Sequence, residues 1–297
     1  MASGAYQTYH LRSGVWQRYT VPIVGPQLWV GATVTDANAN NDISNFNAAN
    51  AVIGPLRMRR TFVTQQTPAT FPTDIAQTPA GQDVSDGIHP FLSCKGDVTG
   101  ITNGDYDGVI TQLLQTFPGD RQCWFTMWHE PENDMTGAQF VAMFQHMYTV
   151  AKAANPAVLI GPIYGAFQWA AGKPSTATPD DWWVGSSFCD FLSIDTYWNT
   201  WRGPTPQTVS TDPYFLRWYN WASGKNKPLY VTERGVLPAG TTRAQILLSD
   251  EAWLKANGFS LFIYWDAIGT GNVNWRLDGD SDSEAAWQQI ASRGRSS

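Results

Sequence analysis

The sequence predicts an α/β protein built as a single-domain (β/α)8 TIM barrel, and three observations carry that prediction. Eight apolar, strand-like runs succeed one another; segments with helical signals separate most of them; and no glycine-rich phosphate turn follows the first run, as an open doubly wound sheet would require. The chain has 297 residues, a length that suits one large barrel, and no Ser/Gly/Pro-rich linker divides it. The expected organisation is a lead segment over residues 1–27 and a barrel over residues 28–297.

In chain order the strands are expected at 28–34, 56–63, 88–94, 122–128, 158–163, 188–197, 228–232 and 259–265, each rich in β-branched, aromatic or aliphatic residues. Helices are expected at 45–53, 105–117, 138–154, 212–223, 241–256 and 283–293. Thr136 reads as the cap of the third of these, and Ser283-Glu284 opens the last. The intervals before the third strand and between the fifth and sixth are loop-rich. After Val34 comes Thr35-Asp36-Ala37-Asn38-Ala39-Asn40-Asn41-Asp42, without glycine, so a dinucleotide site is disfavoured. No Walker-type loop and no Gly-x-Ser-x-Gly elbow is present.

Composition narrows the setting. The net charge of −6, with acidic and basic residues scattered, argues against a nucleic-acid partner or a polybasic membrane patch. No run approaches the roughly 20 apolar residues of a membrane span, and residues 1–21 of the chain as given show no signal-peptide core. Localisation stays open among the cytoplasm, secretion and a phage virion, and a monomer is expected. Cys94, Cys123 and Cys189 sit in or beside apolar runs, which suggests buried thiols rather than a disulfide framework. The fifteen tryptophans have two readings, sugar-stacking faces or a tryptophan-rich core.

In such a barrel the catalytic groups come from the C-terminal ends of the strands. The fourth run ends in Trp128-His129-Glu130-Pro131 and the seventh in Thr232-Glu233-Arg234-Gly235. A carboxylate ending a buried strand is costly unless paired or used, and two strand-end glutamates are the minimum equipment of a glycosidase. Glu130 could instead cap the next helix, but bulky apolar residues precede it and a rigid proline follows. A structural Glu233–Arg234 pair is geometrically poor, because strand neighbours point to opposite faces. A lone His129 could equally be a hydrogen-bonded structural residue. Other strand-end candidates are Arg57, Arg59, Arg60, Ser93, Lys95, Asp195, Tyr197, Trp265 and Asp266.

A fourth-strand Glu before Pro and a seventh-strand Glu in Thr-Glu-x-Gly together resemble the clan A glycoside hydrolases. His129-Glu130 is similar to the His-Glu pair of glycoside hydrolase family 26, which includes β-mannanases. Pro90-Phe91-Leu92-Ser93-Cys94-Lys95, Phe191-Leu192-Ser193-Ile194-Asp195-Thr196-Tyr197 and Leu261-Phe262-Ile263-Tyr264-Trp265 resemble that family's third, sixth and eighth strands. Pro131-Glu132-Asn133 departs from the Met-Asn-Gly-like continuation of mannanases, so a substrate other than mannan is open.

The resemblance implies a retaining endo-β-glycosidase acting on a polysaccharide or oligosaccharide, with Glu130 as acid/base, Glu233 as nucleophile and no cofactor. A retaining mechanism then requires carboxyl groups about 5–5.5 Å apart, against about 6.5–9.5 Å for inversion. It further implies Arg59 as the cation beside Glu233, with Arg57 sharing its parity and Arg60 its rival, and Tyr197 as a donor to Glu233. His129 would bind a sugar hydroxyl and Trp265 would floor the cleaved sugar, with Lys95 and Trp128 completing the substrate-binding set. No metal is expected: the spacing of His89, His129, Asp195 and Glu233 matches no zincin or deaminase pattern, and Asp278-Gly279-Asp280-Ser281-Asp282 lacks the glycine and glutamate of a calcium loop. The alternatives are a non-catalytic carbohydrate-recognition barrel, such as a phage-tail glycan-binding module, and a metal-dependent hydrolase.

Overall fold

The computed structural model describes residues 5–12, 15–22, 27–35, 43–64, 66–169, 179–199, 202–203, 205–237, 240–269 and 273–295. The glycine-free stretch 36–42 lies outside them. Within the lead segment, β1 (Ala5–Arg12) and β2 (Val15–Pro22) form an antiparallel pair.

From Trp29 onward the predicted barrel is present. Its strands are β3 (Trp29–Thr35), β4 (Met58–Val63), β5 (His89–Cys94), β6 (Trp124–Met127), β7 (Leu159–Ile160), β8 (Ile163–Gly165), β9 (Leu192–Trp198), β10 (Leu229–Val236) and β11 (Phe259–Gly269). All neighbours pair in parallel, and β11 returns to β3. The fifth expected strand is therefore two short ones: β7 pairs with β6 and β8 with β9. The break falls at Gly161-Pro162, where proline has no N–H to give the ladder and a Cβ on Gly161 would stand 2.5 Å from the Phe191 carbonyl oxygen. Ser193 instead bonds the Pro162 carbonyl through its amide (3.1 Å) and hydroxyl (2.9 Å), which carries the ring across the gap.

Helices α1 (Ile43–Ile53), α2 (Pro79–Ser85), α3 (Val98–Asn103), α4 (Asp107–Gln115), α5 (Gly137–Ala154), α6 (Pro213–Ala222), α7 (Thr241–Ala256) and α8 (Ser281–Ser292) connect the strands. The helix expected over 105–117 is α4, and the unexpected α3 precedes it, ended by Gly104, which turns the chain at φ 90°. Thr136 caps α5 in a reciprocal box with Gln139, and Asp280 caps α8. The acidic run 278–282 thus serves a helix start.

Two apolar clusters form the core. Inside the barrel, Trp29, Met58, Phe91, Trp124, Ile163, Phe191, Tyr230, Leu261 and Ile263 plug the floor, and a larger cluster fills the space between strands and helices. Trp29, Trp124, Trp169, Trp182, Trp198, Trp218, Trp275 and Trp287 are buried, so much of the tryptophan surplus is core. The three cysteines are free and buried. Among the described residues, no helix is long and apolar enough to cross a membrane.

Because side chains alternate along a strand, the next inward layer above this plug comes two residues further on. Met58 leads to Arg60, Phe91 to Ser93 and Ser193 to Asp195. That layer is polar.

Candidate active site

Glu233 reaches this layer through an irregularity in β10. The register on β9 shifts between Val231 and Glu233, so that Glu233 pairs with Asp195. Consecutive residues Thr232 and Glu233 then both engage groups inside the barrel, which is how a bulge re-aims a side chain. Thr232 Oγ1 donates to Asp195 (2.7 Å), while Glu233 Oε1 lies 2.8 Å from Arg60 Nη1 and its other oxygen accepts a hydrogen bond from the Tyr197 hydroxyl. Arg234 points away and pairs with Asp250 at 2.8 Å.

The cation beside Glu233 is Arg60, which corrects the expectation of Arg59. Strand parity is the reason: Arg59 faces the helices, 3.4 Å from Asp83 of α2 and over the Phe46 ring, and Arg57 is exposed. Arg60 is fully buried. Its Nη1 also contacts Asp195 at 2.9 and 3.0 Å, and its Nε donates to Ser93 Oγ at 3.0 Å.

Glu130 is set by unusual backbone. After Met127 the chain leaves strand geometry, with Trp128 at φ 67° and Glu130 at φ 49°. Left-handed conformations cost a non-glycine residue of order 1–3 kcal/mol. Two main-chain bonds hold them, Trp128 N–H to the Cys94 carbonyl (2.8 Å) and Glu130 N–H to the Ile163 carbonyl (2.9 Å). The carboxyl lies against Gly165, where a Cβ would stand 3.1 Å from Glu130 Oε1.

The remaining expected residues surround this pair at different distances. His129 packs edge-on to Phe62 at 5.3 Å, and Trp265 meets both Phe62 (5.9 Å) and Tyr197 (6.3 Å). Lys95 and Trp128 instead converge on Asp134, at 3.0 Å from Nζ and 2.9 Å from Nε1. Asp266 accepts from the Leu277 amide and serves the fold. Burial, then the Arg60 and Lys95 charges, hold the His129 imidazole well below its ordinary range, so it is neutral.

Three carboxyls and one guanidinium share this space. Burial first, and then the Asp195 charge, push Glu130 up to about 7, opposed by Arg60 and Lys95. Burial, Asp195 and Glu130 likewise push Glu233 up, while Arg60 and the Tyr197 hydroxyl pull it down. Protons in such a cluster belong to the group. Glu233 has an ion pair and a hydrogen-bond donor. The ion pair and the hydroxyl donor therefore favour the ionised form of Glu233, and among the described residues Glu130 has no ion pair to do the same.

Four contributors escaped the sequence reading. Gly235 is needed because a Cβ there would stand 2.5 Å from Tyr197 Cδ1 and 2.8 Å from Trp275 Cε3. Gly165 makes room for Glu130. Trp275 flanks the Tyr197 ring at 5.2 Å. Glu132, nearly buried, accepts from the Gly165 amide (3.1 Å) and Trp169 Nε1 (3.3 Å), and burial pushes it up to about 8. The Gly of Thr-Glu-x-Gly and the second Glu of Glu-Pro-Glu were the available signals. Among the described residues no group of three or more His, Cys, Asp or Glu side chains is arranged to hold a metal ion.

No protein-family model matches the chain. Endoglucanase H of Acetivibrio thermocellus is 21% identical over 210 residues, which are 66% of this chain and 23% of that protein. The chain thus spans about a quarter of that curated relative's length. Among solved structures, an endo-beta-1,4-glucanase from Xanthomonas axonopodis pv. citri superposes with a TM-score of 0.61 at 12% identity, covering 90% of this chain and 100% of that one. The endo-1,4-beta-mannanase from Rhizomucor miehei gives a TM-score of 0.60 at 12% identity, over 91% and 98%. A family 39 glycoside hydrolase from Bacteroides cellulosilyticus WH2 gives 0.59 at 18%, over 98% and 71%. At these identities the likeness is one of fold, and it bears out the (β/α)8 barrel.

Proposed function

We propose that this chain is a retaining endo-β-glycosidase that cleaves a polysaccharide by double displacement, with Glu130 as the acid/base and Glu233 as the nucleophile. The observation that carries the proposal is the unequal setting of the two strand-end glutamates. Glu233 is held by Arg60 at 2.8 Å and by the Tyr197 hydroxyl, while among the described residues Glu130 has no ion pair and feels the Arg60 and Lys95 charges only from a distance. Two like groups with opposed settings are what acid and nucleophile require. The glycosidases that share the fold, and the resemblance of the His-Glu-Pro and Thr-Glu-x-Gly motifs to clan A glycoside hydrolases, support the same reading.

In the first step Glu130 gives its proton to the glycosidic oxygen while a Glu233 oxygen attacks the anomeric carbon, forming a glycosyl ester and releasing the aglycone. Arg60 neutralises Glu233 in the free enzyme, and the Tyr197 hydroxyl orients the attacking carboxylate. In the second step Glu130, now ionised, takes a proton from water, which displaces Glu233 with net retention. Neutral His129 offers an uncharged donor or acceptor for a sugar hydroxyl, and Trp265 an aromatic face beneath the sugar.

A panel of β-linked polysaccharides assayed by reducing-end release tests the proposal. One member should be hydrolysed, with internal cleavage producing a range of oligosaccharides, and Glu130→Gln and Glu233→Gln should each abolish release. A barrel that binds a member of the panel without hydrolysing any would support the non-catalytic recognition module instead.

A further inference from the structure

A groove of about 640 Å³ opens beside the loop that follows β4, within the range of small-molecule sites. Phe62 lines it, and the same ring meets His129 at 5.3 Å and Trp265 at 5.9 Å. The groove therefore shares a wall with the candidate active site. Its other walls include Thr64, Gln66, Thr73 and Gln77, which carry hydroxyl and amide groups, although Gln66 Nε2 also donates to the Thr64 carbonyl (2.8 Å) and Gln77 Oε1 accepts from the Thr73 amide (2.9 Å). The aromatic surface is that of half-buried Phe62, Phe71 being buried in the core, and none of the described lining residues is charged.

The loop is pinned in place without a ligand. The Gln66 amide donates to the Lys95 carbonyl (3.3 Å), its carbonyl accepts from the buried Tyr106 hydroxyl (2.7 Å), and Asp74 and Gln77 close a reciprocal cap. A preformed concavity with many neutral hydrogen-bonding groups and an aromatic wall fits a neutral sugar. Among the described lining residues there is no cation for an acidic glycan.

Resting on the glycosidase reading, we propose that this groove is a subsite for further units of an uncharged β-linked glycan, continuing the chain whose scissile bond lies at Glu130 and Glu233. The enzyme would then select long neutral chains, and cleave them internally, through residues of the loop after β4.

Isothermal titration of the Glu233→Gln protein with β-1,4-linked tri- and hexasaccharides of glucose and of mannose, and with an oligogalacturonate hexamer, tests this. One neutral hexasaccharide should bind at least tenfold tighter than its trisaccharide, and the acidic hexamer should not bind. Adding Ala69→Trp, which places a bulky ring in the groove from an exposed position, should erase the tenfold gain. Equal affinity for three and six units, a gain that survives Ala69→Trp, or tight binding of the acidic hexamer would each overturn the inference. If the wild-type protein hydrolyses nothing while the length-dependent gain is present, the glycosidase reading falls and the subsite stands; hydrolysis without the gain gives the reverse.

Discussion

Arg60 Nη1 stands 2.8 Å from Glu233 Oε1, deep inside the barrel. The same nitrogen contacts both oxygens of Asp195, so one guanidinium serves two buried carboxylates. Removing one partner of a buried ion pair leaves an uncompensated charge and costs about 3–5 kcal/mol.

Arg60→Met should therefore lose that much stability at neutral pH, measured by urea unfolding, and lose nearly all glycosidase activity. Arg59→Met removes a guanidinium that faces Asp83 on the helix side. It should destabilise the fold while leaving kcat close to wild type in the folded fraction, and the contrast in kcat distinguishes the two neighbours.

Tyr197→Phe deletes a hydrogen bond that favours ionised Glu233. Without it the carboxyl holds its proton to higher pH, so the acidic limb of the kcat/KM profile should move upward. The loss of kcat should be about a hundredfold to a thousandfold at neutral pH, the scale expected for one oriented donor. An unmoved acidic limb would remove Tyr197 from its assigned role.

Glu132 gives a pH dependence of stability. Its carboxyl is raised from an ordinary 4.5 to about 8 by burial. Between those values the folded state holds a proton that the unfolded chain has released, so stability is full below about 4.5 and falls as pH rises through about 8. Glu132→Gln keeps an oxygen acceptor for the Gly165 amide and removes this proton. Its unfolding free energy should gain on wild type by about 3–4 kcal/mol between pH 5 and pH 8.

Gly235→Ala would place a methyl group 2.5 Å from the Tyr197 ring and 2.8 Å from Trp275. Overpacking of this kind costs about 1–3 kcal/mol. Because the ring displaced is the one that orients Glu233, kcat should fall by about tenfold or more, with the loss in KM smaller.

The strand periodicity made the barrel legible, since each apolar run had the length and composition of a buried parallel strand. The two glutamates were legible for the same reason: each interrupts such a run where burial makes a carboxylate expensive. What parity alone decides was not legible. Arg57, Arg59 and Arg60 are close neighbours on one strand, and only the inward position of Met58 in the barrel floor shows that Arg60 shares its face. The bulge that turns Thr232 and Glu233 inward together breaks the alternation from which such choices are made. The split fifth strand was foreshadowed by Gly161-Pro162, and the left-handed backbone at Glu130 by nothing in the residue types. Glu132 was hidden by its own motif, because a glutamate in a polar turn reads as exposed until Gly165 and Trp169 are found to donate to it.

The division of labour between Glu130 and Glu233 is tested most directly by covalent trapping. A 2-deoxy-2-fluoro β-glycosyl fluoride of the cleaved sugar slows both steps and lets the glycosyl ester accumulate for intact-mass and peptide-mapping measurement. The arrangement predicts one added glycosyl unit, located on the peptide that contains Glu233, and no label on the Glu233→Gln protein. A label on Glu130, or an inverted anomeric product with no covalent adduct from an active enzyme, would contradict it.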